Sequence, residues 1–174
     1  MSVVDKIIVA LKPIPDEKHR LEATRKARAA AGRNDGFPLM LGHHDLIRKA
    51  FDDCKAAAKA AERPAAMQRL AIVLNGHSLA EEVILYPALA QAGEKAHAGH
   101  AYTEQTTAEM QMAELETIAP SSQAWKDNLE HIKGAVLTHM FEEESGWFPK
   151  LREKGEHQTR LTGRYAEEFD RHTG

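Results

Sequence analysis

Two histidine–glutamate pairs recur in one pattern along the chain. His77-Ser-Leu-Ala-Glu81-Glu82-Val-Ile-Leu-Tyr86-Pro87 and His139-Met-Phe-Glu-Glu143-Glu144-Ser-Gly-Trp-Phe148-Pro149 both read H-x-x-x-E-E-x-x-x-aromatic-P. On a helix, a His and a Glu four residues apart share a face and lie about one turn apart. Two such pairs on two helices can offer two imidazoles and two carboxylates to one place. That is the ligand chemistry of a two-metal site inside a helical bundle. Mixed nitrogen and oxygen ligation accepts iron, manganese or zinc, so these residues alone do not choose the metal.

The elements that must position these residues are helical nearly throughout. Ala, Leu, Glu, Lys and Met dominate, and β-branched alternation is absent. Gly and Pro fall between long periodic segments. Residues 1–35 read as a helical extension divided near Lys12-Pro-Ile-Pro15, packed on the outside or mobile. Residues 36–155 read as four long helices: 37–62 after an Asn34-Asp-Gly-Phe-Pro38 turn, 64–91 with Gly93 as cap, 94–117, and 123–153 after a Ser122 N-cap and ending near Gly155. Residues 156–174 read as a last helix. Four long helices with short links predict an all-α fold, an antiparallel up-down four-helix bundle with extra N-terminal and C-terminal helical segments.

Within the second helix the apolar stripe runs Leu70, Val73, His77, Ala80, Glu81, Ile84, Ala88. Within the fourth it runs Leu129, Ile132, Val136, His139, Glu143, Trp147. The His and Glu of each pair lie inside the stripe that should face the core. A lone carboxylate is very costly to bury. Two in matching places need a common partner, and a cation answers that need. The competing reading is a buried His–Glu hydrogen bond, or a Glu that leans out to solvent. On the first helix, Met40, Leu41, His44, Ile47, Phe51 and Cys54 form the stripe, so His44 should point inward. His43 should sit at its edge, beside the site or solvated, and Cys54 reads as a small core residue.

The third helix is the irregular one. Its stripe is Ala98, Ala101, Tyr102, Gln105, Ala108, Glu109, Met112, Leu115, and Gln105 stands at the height of His77 and Glu81. Five residues is about 140° of rotation, so His100 cannot replace Gln105. His97 and His100 read as surface, as do His19, His131, His157 and His172. Gln105, Tyr102 and Glu109 are then the polar groups this helix can show to the core.

Bulk properties narrow the partners. The net charge is −3, with neither a basic stripe nor a basic tail, which argues against nucleic acid or a membrane surface. One cysteine excludes an internal disulfide and fits a reducing compartment. No secretory leader is read at the N-terminus and no apolar run is long enough to span a bilayer, so a cytoplasmic location is expected.

The doubled pattern resembles the hemerythrin-like, HHE cation-binding domains, over about residues 36–153. The family arrangement is one His on the first helix, H-x-x-x-E on the second, one His on the third and H-x-x-x-E on the fourth. Here these positions are His44, His77 with Glu81, Gln105, and His139 with Glu143. The resemblance implies an up-down bundle with a non-heme di-iron cofactor, oxo- or hydroxo-bridged. The two carboxylates would bridge the irons and the His residues would cap them. Gln105 departs from the family pattern, since an amide oxygen is a weaker ligand than imidazole. Tyr102, Glu109 or water would complete that end, with His43 beside the site. A tyrosine there would favour the ferric state, and a missing ligand would suit peroxide or NO chemistry.

The expected function is therefore a metal-binding protein, monomer or homodimer, that binds, senses or reacts with O2, NO or peroxide. Binding or sensing is expected ahead of catalysis, and weak peroxide decomposition is the enzymatic alternative. Metal storage without turnover, and a helical interaction domain with structural His–Glu pairs, are the competing functions.

Overall fold

The computed structural model describes residues 15–32, 36–153 and 158–174, with the side chains of 158 and 159 left aside. The expected division at Lys12-Pro-Ile, the Asn34-Asp35 part of the turn, the Gly155 stop and His157 lie outside the described residues. Among those described there is no strand.

Helix α1 (Glu17–Ala30) starts where the Asp16 carboxylate accepts the His19 backbone N–H at 2.8 Å. Helix α2 (Phe37–Ala56) has Pro38 in its first turn. It ends at Ala56, short of the expected 62. The Arg63 guanidinium donates to the carbonyl oxygens of Ala57 (3.3 Å) and Pro120, which caps the broken end. A short 3-10 turn (Ala60–Glu62) then leads into α3 (Arg63–Ala80).

Two interruptions follow that helical periodicity alone does not announce. After α3 the helix widens into a π-helical turn (Glu81–Leu85) before α4 (Tyr86–Gln91). Gly93, at φ 95°, reverses the chain, and α5 (Lys95–Thr117) returns. Helix α6 (Gln123–Glu142) begins with the Ser122 hydroxyl accepting the Trp125 N–H at 3.1 Å. It too widens, at Glu143–Trp147, before α7 (Phe148–Glu153). Both π turns have the same cause. Pro87 and Pro149 lack an N–H, and an α-helical proline ring collides with the carbonyl four residues back. In the widened turn Tyr86 N–H donates to the Glu81 carbonyl and Phe148 N–H to that of Glu143, five residues back. The tail of the repeated pattern therefore encodes a bulge at Glu81 and at Glu143.

Helices α2, α3–α4, α5 and α6–α7 form the antiparallel bundle. Helix α8 (Gln158–Thr173) lies against α3, and α1 lies against the second π turn. A Cβ at Gly76 would meet Thr173 Cγ2 at 2.5 Å, so glycine there permits the close approach of α8 beside His77. Two apolar clusters fill the interior. One contains Ile47, Phe51, Leu70, Leu115, Trp125 and Ile132; the other contains Leu41, Ile84, Tyr86, Trp147, Phe148 and Tyr165. Between them lies a polar layer: His44, His77, Glu81, Gln105, His139 and Glu143, all buried.

Candidate metal centre

The polar layer has the layout of two adjoining ligand sets. His44, His77, Glu81 and Glu143 each bring a ligand atom within 4.8 Å of the others. His44 Nε2 lies 3.2 Å from Glu143 Oε2, and His77 Nε2 lies 3.3 Å from Glu81 Oε1. On the other side, His139 Nε2 lies 3.4 Å from Glu143 Oε1. Each carboxylate therefore offers one oxygen to the His44–His77 end. The second oxygen of Glu143 faces His139, and that of Glu81 accepts from the Gln105 amide and the Tyr86 hydroxyl.

The chemistry of these atoms tests whether a cation fits. His44 Nε2, His77 Nε2, Glu81 Oε1, Gln105 Oε1 and both Glu143 oxygens are buried without a hydrogen-bond partner among the described residues. An unsatisfied buried polar atom costs about 1–3 kcal/mol. Here such atoms converge on one place, where cations would satisfy them together. The residues fit a bound metal.

Protons meet part of that charge demand in the protein alone. Burial and the Glu143 charge push the Glu81 carboxyl well above its usual range. Burial opposes the ionisation of Glu143, yet His139 and His44 hold it well below that range. Burial likewise opposes the charging of His44, but the adjacent Glu143 carboxylate and the hydrogen bond to Glu144 raise it. His139 is raised well above imidazole's usual value: burial resists it, and the Glu143 charge with the Glu104 hydrogen bond overcomes that. His77 goes the other way, lowered by burial and by the nearby charge of His44.

The outer nitrogens of the imidazoles are held as well, which sets tautomer and ring orientation. His44 Nδ1 donates to Glu144 Oε1 at 2.7 Å, and Glu144 also accepts from Arg48 at 2.7 Å and from the Thr24 hydroxyl. His77 Nδ1 lies 2.8 Å from the Tyr165 hydroxyl. That hydroxyl in turn lies 3.2 Å from Nδ1 of His43. His139 Nδ1 donates to Glu104 Oε2 at 2.8 Å.

Helix α5 supplies less than the stripe suggested. Gln105 faces the layer and its amide donates to Glu81 Oε2 at 2.7 Å. Tyr102 does not reach the cluster: it is exposed, and its hydroxyl donates to the Glu82 carbonyl at 2.6 Å. Glu109 is half-buried and lies near Glu82, whose carboxyl is raised by burial and by the Glu109 charge. His43 is buried and stacks on Phe169 with ring centroids 3.5 Å apart. Burial, with the neighbouring charge of His44, lowers it to about 4.

The tyrosine at the site is Tyr86. Its hydroxyl donates to Glu81 Oε2 at 3.0 Å and lies 3.0 Å from His139 Nε2. It is fully buried, and burial raises its pKa well above the phenolic value. The signal for it was the repeat itself, in which Tyr86 and Phe148 occupy the same position. Glu144 is buried because α1 and α2 cover its turn with Thr24 and Arg48. Glu104 stood beside Gln105, and no local pattern pointed to Tyr165. His19, His131 and His172 are exposed, as expected. No described helix is long and apolar enough to cross a membrane.

Comparison with known proteins agrees with this geometry. A 79-residue stretch, 45% of the chain, is 29% identical to a protein named DNA nickase from Nostoc sp. (strain PCC 7120 / SAG 25.82 / UTEX 2576). The match spans 22% of that relative's length. No solved structure gives a significant match. The family profile of the hemerythrin HHE cation binding domain matches residues 35–151, well over half of the chain and the whole of the buried His/Glu layer. This chain belongs to the hemerythrin HHE cation-binding domain family.

Proposed function

We propose that the chain is a non-heme di-iron protein that binds, senses or reacts with O2, NO or peroxide. The observation that carries this reading is the convergence of orphaned buried atoms from His44, His77, Glu81, Gln105 and Glu143. His44, His77, Glu81 Oε1 and Glu143 Oε2 would hold one ion. His139, Glu143 Oε1 and Glu81 Oε2 would hold the other, with Gln105 and Tyr86 at the remaining positions. Bound iron would supply redox chemistry and a coordination position open to a small ligand.

The chain's own residues limit what arrives. Every residue of the layer is at most 7% exposed, which favours diatomic-sized ligands over larger substrates. Glu144, Tyr165 and Glu104 hold the outer imidazole nitrogens, so the inner ones stay aimed at the layer. The Tyr86 hydroxyl lies between Glu81 and His139 and can give or take a hydrogen bond there.

Elemental analysis of purified protein, with optical spectra before and after adding peroxide or NO, tests the proposal. Two irons per chain with a ligand-sensitive visible spectrum are expected. Zinc alone, or a spectrum indifferent to both peroxide and NO, would end the redox reading.

A further inference from the structure

Beside the buried layer, a second group of metal-type side chains reaches solvent. His100, Glu104 and Glu142 bring ligand atoms within 4.8 Å of one another. His100 Nε2 lies 2.9 Å from Glu104 Oε1 and 3.7 Å from Glu142 Oε2. His100 and Glu104 are one turn apart on α5, and Glu142 ends α6 immediately before Glu143. The side chains are 44%, 27% and 12% exposed, respectively. A groove of about 440 Å³ adjoins them, lined in part by His97, Phe141, Trp147 and Lys150. Lys150 is turned onto Glu94 at 3.2 Å, with His97 at 3.4 Å.

Glu104 links the two places. Its Oε1 faces His100, and its Oε2 accepts from His139 Nδ1 at 2.8 Å. We infer that His100, Glu104 and Glu142 form a separate, solvent-accessible divalent-cation site that shares the Glu104 carboxylate with the buried centre. One imidazole and two carboxylates, completed by water, suit zinc, manganese or ferrous iron. The site lies at the surface end of the His139 side, where an ion can be held without opening the bundle.

The test is a Zn²⁺ titration of the full chain, followed by calorimetry and by NMR of the histidine rings. Glu104 is left intact, because it also positions His139. Wild type should take up one equivalent more than His100→Ala or Glu142→Gln, and the His100 ring signals should move with that equivalent. The same stoichiometry in wild type and His100→Ala, or His100 signals unmoved by Zn²⁺, would overturn the site and leave His100 as a side chain paired with two carboxylates. The surface equivalent does not require an occupied buried centre. It is expected in a His77→Ala variant too, so failure of the di-iron reading and failure of this site remain distinguishable.

Discussion

The two copies of the repeated pattern share a backbone and differ in surroundings. Each runs an α-helix into a π turn at its first glutamate, Glu81 or Glu143, and each ends in aromatic-Pro. In the first copy the aromatic residue is Tyr86, whose hydroxyl enters the polar layer. In the second it is Phe148, which stacks against His44 at 5.8 Å and Phe37 at 5.1 Å. The second Glu differs as well. Glu82 is half-buried near Glu109, whereas Glu144 is buried and held by His44, Arg48 and Thr24. The outer nitrogen of His77 meets a neutral phenol and that of His139 meets a carboxylate. One local pattern thus aims two ligand pairs alike, while the packing around each copy decides how its end of the site is finished.

The largest effect should come from removing what both ends share. Glu143 faces His44 with one oxygen and His139 with the other. Glu143→Ala should abolish metal at both ends and destabilise the bundle by about 3–5 kcal/mol, the range for breaking a buried charge pair. Metal content and thermal melts check this; a variant that keeps one full equivalent beyond the one held at His100 would show that the ends are independent.

Tyr86→Phe makes the first copy match the second. It removes a hydroxyl bonded to Glu81 and adjacent to His139, so a stability loss of about 1–3 kcal/mol is expected in the metal-free protein. A visible charge-transfer band in the ferric protein, if Tyr86 is a ligand, should vanish as well. Unchanged melting and an unchanged spectrum would remove Tyr86 from the site.

Tyr165→Phe should weaken metal binding at the His77 end by about 10-fold, the low end of the effect of losing a group that orients a ligand. The His139 end should be untouched. Competition with a chelator of known affinity separates the two, and equal loss at both ends would contradict a division of the site into His77 and His139 ends.

The mildest change is in pH. His44 and His139 hold their protons above the ordinary imidazole value of 6.5. Their protonated forms stabilise the metal-free fold below that value, and this contribution is lost as pH rises through their raised values. A cation must displace these protons, so metal affinity should fall progressively as pH is lowered from above the raised values. Calorimetry in buffers of different ionisation enthalpy should detect proton release on binding; none at any pH would sink the expectation.

Much of this protein was legible in the chain. A 3.6-residue period puts His44, His77, Glu81, Gln105, His139 and Glu143 on inward faces, because side-chain direction on a helix is a local property. The four-helix arrangement followed from segment lengths and turns. The π turns were also written locally, in the matched prolines, but periodicity reads a helix as continuous through them. What tertiary structure alone decided is which groups meet the ligands from behind. Tyr165 reaches His77 across 88 residues and Thr24 reaches Glu144 across 120. Tyr102 turned outward because a carbonyl at Glu82 was within reach of its hydroxyl, and Tyr86 turned inward because α5 and α6 leave its hydroxyl beside Glu81 and His139. Sequence spacing sets where a side chain leaves its own helix, and only the packing of distant helices sets what it finds there.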